Sequence, residues 1–327
     1  MKEFTIGKND AGQRLDRFLS KAVPLLPASL AQKYIRIKRI KLNGARAERD
    51  SRLQEGDVLQ LYINDEFFDK PREDNAYLTV ATPKLNIVYE DEHILLADKR
   101  PGLAVHPHDG AEYGRTLIDH IQAYLYQKRE WSPRGENAFT PALCNRIDRN
   151  TGGIVIAAKT AEALRVINEK IKQGEIDKRY LCAVHGILPK KQDTLRGYLK
   201  KDSATNMVSV FEKKTTNSRE VKEIITEYTV LDEAKDLSLC EVHLITGRTH
   251  QIRAHFSSIG HPLLGDGKYG INRDDRHSGY KYQALYSYKL TFAFKTPSPL
   301  DYLCGKTVEV DRSHIWFLRE FSKKTDG

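Results

Sequence analysis

The chain has 327 residues, of which 40% are hydrophobic and 30% charged, and its 53 Lys and Arg against 44 Asp and Glu give a net charge of +9. This length allows one large domain or two ordinary ones, and ample apolar content with mixed charge excludes a chain disordered throughout. No apolar run approaches the roughly 18 residues of a membrane span, and the N-terminus lacks the apolar stretch of a secretory signal. We therefore expect a soluble, cytoplasmic protein with no membrane partner, and the excess positive charge favours an anionic one.

The first predicted unit is small and basic. Residues 12–62 contain eleven Lys or Arg and five Asp or Glu. The apolar spacing over 15–22 predicts an amphipathic helix, and Ser29 with Gln32 fits a capping box that would begin a second helix. Asn43-Gly44 predicts a turn ahead of the strand-like stretch VLQLYI.

Cations on the second predicted helix are candidates for binding phosphate. Lys33, Arg36 and Arg39 lie three residues apart and predict a basic stripe along the helix surface. Most charge runs are only solvated helix faces. This stripe belongs to a unit that is basic overall, which favours a phosphate-binding surface.

The rest of the chain predicts a larger α+β domain. Residues 64–83 show little periodicity and are predicted to be a linker. Beyond them, apolar strands alternate with helices predicted over 116–127, after Thr160 and over 249–259. Strands outnumber helices and do not repeat as βαβ units, so a largely antiparallel sheet is the best prediction. The predicted domains are accordingly 1–63, with a core at 12–62, and 84–322.

A polar loop between apolar strands is the first candidate for chemistry. In CNRIDRNTGG, residues 144–153, the Asp148 carboxylate lies between Arg146 and Arg149. Adjacent cations favour the ionised carboxylate, which can act as a nucleophile at a sugar carbon. The simpler interpretation, which this loop alone favours, is an Asp that caps its own turn.

A second polar cluster at 246–270 contains cations and histidines but no metal-binding pattern. Its histidines lie five and six residues apart rather than four, and no HExxH motif is present. The His-x-His of HPHDG at 106–110 could add ligands, although loop histidines with other partners are commoner. The four cysteines form no CxxC pair. GDGK lacks the order of a phosphate loop and no GxGxxG follows a strand, so neither a metal nor a cofactor is predicted.

Three stretches of the larger domain resemble the RluA-type pseudouridine synthases: NRIDRNTGGIVIAAK (145–159), KRYLCAVHG (178–186) and TGRTHQIRAHFSSIGHPLLGD (246–266). The N-terminal unit resembles the S4 RNA-binding domain through RLDRFL, IRIKRIKLNG and the later EGD. This order of domains is that of the family's large-subunit rRNA enzymes of the C and D types. The resemblance implies a cofactor-independent isomerase that converts uridine to pseudouridine in RNA, with 23S rRNA as the expected substrate.

The resemblance also implies roles for single residues. Asp148 matches the family's nucleophilic aspartate, and Arg253 matches the basic residue that pairs with it. Tyr180 matches the tyrosine that packs against the target base and is proposed to help remove a proton. Arg146 matches an arginine that enters the RNA stack when the uridine is flipped out.

Further residues are expected to contact RNA or depart from the family pattern. The expected RNA contacts in the larger domain are Arg248, His250 and Gln251, and those in the S4-like unit are the three cations of the basic stripe. Asn145 and Tyr286 stand where many members of the family have His. These two departures put any contact made by those histidines in doubt.

Two other functions fit parts of the sequence. A non-catalytic RNA-binding or ribosome-assembly factor would use the same basic surface, bind RNA in a salt-sensitive way and alter no nucleoside. A metal-dependent phosphodiesterase built from the His and Asp residues would fail with a chelator. The residues do not identify the modified uridine, separate the C type from the D type, or distinguish rRNA from tRNA. We expect a monomer, because the S4-like unit supplies an RNA grip within the same chain.

Overall fold

The structure is a computed structural model that describes residues 1–68, 76–107, 112, 114–133, 138–202, 205, 207–214, 220–270, 275 and 277–322. Parts of the predicted linker, of the HPHDG motif and of the charged stretch after residue 190 lie outside these described residues. No helix within the described ranges is both long and apolar enough to cross a membrane.

The N-terminal unit packs two helices against a small sheet. Its elements are β1 (Lys2–Thr5), α1 (Leu15–Ala22), α2 (Ala28–Arg36), β2 (Ile40–Leu42), β3 (Ala45–Arg46) and β4 (Val58–Leu61). The sheet order is β1-β4-β2-β3. Leu15 and Phe18 of α1 are completely buried, which confirms the predicted amphipathic helix. The predicted turn is also confirmed, since Asn43 and Gly44 join β2 to β3 with φ of 50° and 74°.

The start and end of α2 differ from the prediction. The helix begins at Ala28 with Pro27 at the N-cap, and no side chain caps it, so the capping box at Ser29 is wrong. Pro27 lacks an N–H and has a restricted φ, both of which suit the start of a helix, so Ser29 falls inside the first turn rather than at the cap. The helix ends at Arg36, so Arg39 lies beyond it, with its guanidinium 5.6 Å from the Tyr34 ring centre.

The larger unit contains helices and a long mixed sheet. Its helices are α3 (Leu117–Gln127), α4 (Ala161–Lys172) and α5 (Gln251–Ser258). Its first strands are β5 (Ile87–Glu90), β6 (Ile94–Lys99), β7 (Ala142–Leu143), β8 (Gly152–Ala158) and β9 (Ile176–His185). The later strands are β10 (Gln192–Asp202), β11 (Met207–Phe211), β12 (Val221–Ala234), β13 (Leu237–Leu244), β14 (Leu285–Phe292) and β15 (Thr307–Glu309).

Within the described residues these strands form one 11-stranded sheet with the order β11-β10-β12-β13-β9-β14-β8-β6-β5, extended by β15 on β14 and β7 on β8. The pair of β14 and β8 is parallel, and the other pairs are antiparallel, which confirms the predicted α+β fold with a largely antiparallel mixed sheet. Ile154 and Ile156 belong to the apolar core on one face of the sheet, and Val155 and Ala157 to the core on the other. Strand β8 is therefore apolar along its whole length because both of its faces are covered.

Two glycines fix the start of β8, just after the Asp148 loop. A Cβ at Gly152 would overlap the Tyr286 ring, and one at Gly153 would overlap the backbone of Ser287. Gly153 also has a φ of +114°, which disfavours any other residue. The loop that carries Asp148 is therefore held directly against β14.

The end of the predicted linker packs on the larger unit. Short 3₁₀ turns occupy 65–68 and 76–79. The Tyr77 ring lies 5.3 Å from that of Trp131, and the Gln127 side chain of α3 donates to the carbonyls of Val80 and Ala81. The boundaries 1–63 and 84–322 stay predictions, although residues 76–81 are held by the domain that follows them.

Candidate active site

The Asp148 loop lies between β7 and β8 and is supported from below by a buried lysine. The Lys99 Nζ, at the end of β6, donates to the carbonyls of Leu103 at 2.8 Å, Arg149 at 2.9 Å and Arg100 at 3.2 Å. Burial lowers the pKa of Lys99 to about 7. No motif in the sequence indicates this residue, whose only sequence signal is a lysine between a buried strand and a Pro-Gly loop.

A buried arginine joins Asp148 to a second carboxylate. Arg253 on α5 donates from Nη1 to Asp148 Oδ2 at 2.7 Å. Its Nε and Nη2 donate to the two oxygens of Asp266 at 2.7 and 2.8 Å. Burial by itself would lower the pKa of Arg253, but the Asp266 and Asp148 carboxylates raise it, so the guanidinium stays charged. This contact places the predicted partner of Asp148 against it.

Asp266 was missed by the sequence analysis. It is completely buried, and besides Arg253 it accepts the backbone N–H of Lys268 at 2.9 Å and of Tyr269 at 3.1 Å. These bonds outweigh burial and lower the pKa of Asp266. Its sequence signal is an acid at the end of the apolar run PLLGD.

The two oxygens of Asp148 differ in their surroundings. Oδ2 accepts from Arg253 and lies 3.8 Å from Nε2 of His250. Oδ1 accepts no hydrogen bond from any described residue. The carboxylate is thus held by one oxygen while the other is open to the cleft.

Tyr180 lies on β9 beside this carboxylate, and only 7% of it is exposed. Burial raises the pKa of Tyr180 to about 12, and the negative charge of Asp148 adds to the increase. The phenol is therefore neutral at physiological pH. It can pack against a base as a neutral ring, and its part in proton removal stays a prediction.

The predicted RNA contacts near α5 are not equivalent. Arg248 is exposed and lines the cleft, and His250 lines it also. Gln251 is buried, and its amide accepts from the Thr246 hydroxyl and the Arg248 N–H and donates to the Ile225 carbonyl and the Thr226 hydroxyl. Gln251 therefore shapes the loop ahead of α5, while its direct contact with RNA stays a prediction.

Asn145 and Tyr286, which depart from the family pattern, each form a hydrogen bond that joins two elements near the site. Asn145 Oδ1 accepts the N–H of Ile156 at 2.8 Å, which ties the Asp148 loop to β8. The Tyr286 hydroxyl donates to Asp98 at 2.6 Å, and His314 lies 3.0 Å from the other Asp98 oxygen. Both side chains thus hold the elements around the site together.

The histidines that suggested a metal site have separate partners. His255 is buried against the Thr226 hydroxyl, and burial lowers its pKa to about 4. His261 lies 2.8 Å from the carbonyl of His185. Among the residues that the structure describes, no three His, Cys, Asp or Glu side chains gather in a metal-binding group. His108 lies outside those residues.

These side chains surround a cleft of about 1500 Å³. Of the described residues that line it, Asp148 alone is acidic, whereas eight are basic: Arg146, Arg149, Lys178, Lys201, Arg248, Arg253, Lys268 and Lys281. The predicted cations of the N-terminal unit, Lys33, Arg36 and Arg39, are exposed on that unit and do not line the cleft.

A basic cleft around one carboxylate, preceded by a small basic domain, defines an enzyme with a polyanionic substrate. Residues 93–258 match the family model "RNA pseudouridylate synthase", and residues 13–59 match that of the S4 domain. The chain therefore belongs to the RNA pseudouridylate synthase family, carries an S4 domain and is an RNA-binding isomerase, as the sequence predicts.

Similar pseudouridine synthases from bacteria align with nearly the whole chain. An uncharacterized RNA pseudouridine synthase of Mycoplasma genitalium is 31% identical over 96% of this chain and 97% of its own length. Ribosomal large subunit pseudouridine synthase C of Vibrio parahaemolyticus is 30% identical over 90% of this chain and 88% of its own. Human RNA pseudouridylate synthase domain containing 4 shares the fold, with a TM-score of 0.57 at 19% identity over 76% of this chain and 96% of its own.

Proposed function

We propose that the protein converts uridine to pseudouridine in 23S rRNA, with Asp148 as the nucleophile and the target base flipped into the cleft. The proposal is supported by one observation: among the described residues that line the cleft, Asp148 is the single carboxylate, and it is held by Arg253 through one oxygen and open at the other. The rRNA substrate is supported by relatives named ribosomal large subunit pseudouridine synthase C in Vibrio parahaemolyticus and Haemophilus ducreyi.

The reaction follows from the position of Asp148. Its free oxygen attacks C1′ of the uridine as the N1–C1′ bond breaks, and the uracil leaves with the bonding electrons. The uracil turns within the cleft and its C5 attacks C1′, which releases Asp148. The C5 proton is then lost and N1 gains a proton, so the product is an isomer of the substrate. The step needs no oxidant and no transferred group.

The surrounding residues serve this chemistry. The neutral Tyr180 ring packs against the uracil, and Arg146, exposed at the rim of the cleft, fills the space left in the RNA stack. Flipping the base costs a few kcal/mol. Phosphate contacts made by the S4 cations and the cleft cations offset this cost and set the register of the RNA.

The proposal extends to the oligomeric state and the cellular location of the protein. The S4 domain supplies the RNA grip within one chain, so the protein acts as a monomer. Its rRNA substrate places its action in the cytoplasm, where ribosomes are assembled.

Release of tritium from C5 of uracil tests the proposal. In vitro transcribed large-subunit rRNA labelled with tritium at C5 is incubated in EDTA with the wild type, Asp148→Asn or Asp193→Asn. The last variant is a control at a surface aspartate that pairs with Lys190. We expect release by the wild type and the control but none by Asp148→Asn, which should still bind the RNA.

Other results would contradict parts of the proposal. Normal release by Asp148→Asn would exclude Asp148 as the nucleophile. RNA binding without release by any of the three proteins would contradict activity on this rRNA and favour a binding factor, and tRNA would be tried next. Release that requires divalent metal and stops in EDTA would favour metal-dependent chemistry.

A further inference from the structure

Tyr269 lies on the far side of His250 from Asp148 and connects that histidine to the edge of the sheet. The Tyr269 hydroxyl is 2.9 Å from His250 Nδ1, and it accepts the backbone N–H of Val208 in β11 at 2.9 Å. Its ring stacks edge-on against the imidazole, and Arg253 lies 5.2 Å from the ring centre. One tyrosine thus contacts both residues that face Asp148 Oδ2.

These contacts favour one of the two neutral tautomers of His250. A phenol has one proton to donate and two lone pairs that accept. Val208 N–H uses one lone pair, and among the described residues His250 Nδ1 is the acceptor within reach of the Tyr269 proton, which favours the phenol as the donor. The proton of a neutral imidazole then sits on Nε2, the nitrogen that lies 3.8 Å from Asp148 Oδ2.

The backbone at His250 is held in an uncommon conformation that aims this side chain. His250 has a φ of +55° in the left-handed region, directly before α5. Such a residue is strained unless its surroundings hold it, and strain of this kind gathers at functional sites. The buried Gln251 amide holds the preceding loop through the Arg248 N–H, and Tyr269 holds the imidazole.

Burial, rather than the charged groups around it, keeps His250 neutral at physiological pH. Asp148 and Asp266 face it from their loops, Arg253 from α5 and Lys268 from the segment that carries Tyr269. Burial is the largest effect and lowers the pKa of His250. A neutral N–H donor can orient the carboxylate without neutralising the charge that makes it a nucleophile.

We propose that Tyr269 is a positioning residue that holds His250 as the Nε2–H tautomer, so that His250 and Arg253 together grip Asp148 Oδ2 and direct Oδ1 at the sugar. The inference rests on the proposed role of Asp148 as the nucleophile. The 3.8 Å separation is longer than a hydrogen bond, and such contacts tighten when substrate binds. Tyr269 acts on the reaction only through His250.

Single-turnover tritium release by Tyr269→Phe and His250→Gln tests this role. Removing the Tyr269 hydroxyl should lower the maximal rate roughly tenfold and leave the RNA concentration at half-maximal rate unchanged. It should also move the acid limb of the pH profile to higher pH, because the neutral imidazole loses its donor at Nδ1 and binds a proton more readily. The side-chain amide of Gln at position 250 offers a donor near the Nε2 position but does not titrate. His250→Gln should therefore retain most of the rate, and its pH profile should lack the acid limb.

The double variant separates positioning from a general structural effect. If Tyr269 acts through His250, then Tyr269→Phe has no further effect in the His250→Gln background. The control is Tyr302→Phe, which removes a hydroxyl that bonds Asp91 far from the cleft. A tenfold loss by Tyr269→Phe in both backgrounds, or a wild-type rate and pH profile for Tyr269→Phe, would overturn the inference. Full activity of Asp148→Asn would instead overturn the proposed function on which it rests.

Discussion

The cations of the S4 domain and those of the catalytic cleft differ in what surrounds them. Lys33, Arg36 and Arg39 are exposed, and none forms an ion pair within the described part of the chain. Arg253 is 7% exposed and bonds both Asp148 and Asp266. Exposed cations exchange their counterions for RNA phosphates, whereas a buried, doubly bonded guanidinium has one fixed position. We therefore propose that the first region supplies affinity for RNA and that the second supplies rate.

The difference in exposure between the two sets of cations predicts how RNA affinity and the reaction rate respond to salt. Interactions between exposed charges are screened over about 8–10 Å at physiological ionic strength, whereas buried pairs are screened much less. RNA affinity should fall steeply as salt rises, while the single-turnover rate at saturating RNA should change little. Substitutions in the two regions test whether affinity and rate are separated in this way.

The largest effect is expected at Arg253. Replacing it by Gln should lower the maximal rate about 10²–10³-fold, because a fixed donor to the reacting carboxylate is lost. It should also lower the free energy of unfolding by about 3–5 kcal/mol, because Asp266 stays buried without its cation. Single-turnover kinetics and urea denaturation measure the two effects.

A second substitution serves as the control for Arg253. In Arg253→Gln combined with Asp266→Asn, no buried charge is left unpaired, so most of the stability should return while the rate stays low. Recovery of the rate in the double variant would show that Arg253 acts only through stability. The comparison between a region for rate and a region for affinity would then fail.

An intermediate effect is expected when Lys33, Arg36 and Arg39 are replaced together by Ala. The dissociation constant for an rRNA fragment should rise roughly ten- to a hundredfold, and the slope of log affinity against log salt should fall by about 2–3. The rate at saturating RNA should not change. A triple Ala variant at Lys172, Lys190 and Lys289 removes the same charge away from the cleft and the S4 domain. Equal losses in the two variants would mean that net charge, rather than the S4 surface, determines affinity.

The smallest effect concerns stability in acid and involves the catalytic domain alone. Burial lowers the pKa of His255 to about 4, so below its usual pKa the unfolded chain binds a proton that the folded chain does not. The free energy of unfolding should therefore fall as the pH is lowered, with the loss confined to the interval between the ordinary histidine pKa and about 4. Between pH 7 and 5 the loss is about 2 kcal/mol.

Replacing His255 by Gln should flatten this part of the stability profile, which denaturation at several pH values measures. An unaltered profile for His255→Gln would show that another group causes the acid sensitivity.

The predicted helices and strands were mostly confirmed where a local pattern carried them. Thr160 caps α4 by accepting the N–H of Ala163, and the apolar run of β8 forms a strand buried on both faces. The error at α2 has the same local origin, because Ser29 fits a capping box while Pro27 two residues earlier already begins the helix. A pattern of four residues cannot show whether the helix begins after Pro27 or after Ser29, because the two positions are only two residues apart.

The partners within the site were less predictable. The resemblance indicated that Arg253 pairs with Asp148, but no pattern indicated Asp266 or the contact of Tyr269 with His250. Lys99 and Arg149 lie 50 positions apart, and Arg253 and Asp148 lie 105 apart. Such pairs meet only when several strands have paired in the right order.

The amino-acid sequence was sufficient to predict the order of elements, the basic S4 unit and the family. Periodicity, turn residues and contiguous motifs act over a few residues, so a linear chain displays them directly. The sequence did not show that Oδ2 of Asp148 is held while Oδ1 is open, that Gln251 is buried beneath the loop it shapes, or that Asp266 bonds Arg253. These depend on burial and on distances between remote segments, which exist only once the sheet has brought its strands together.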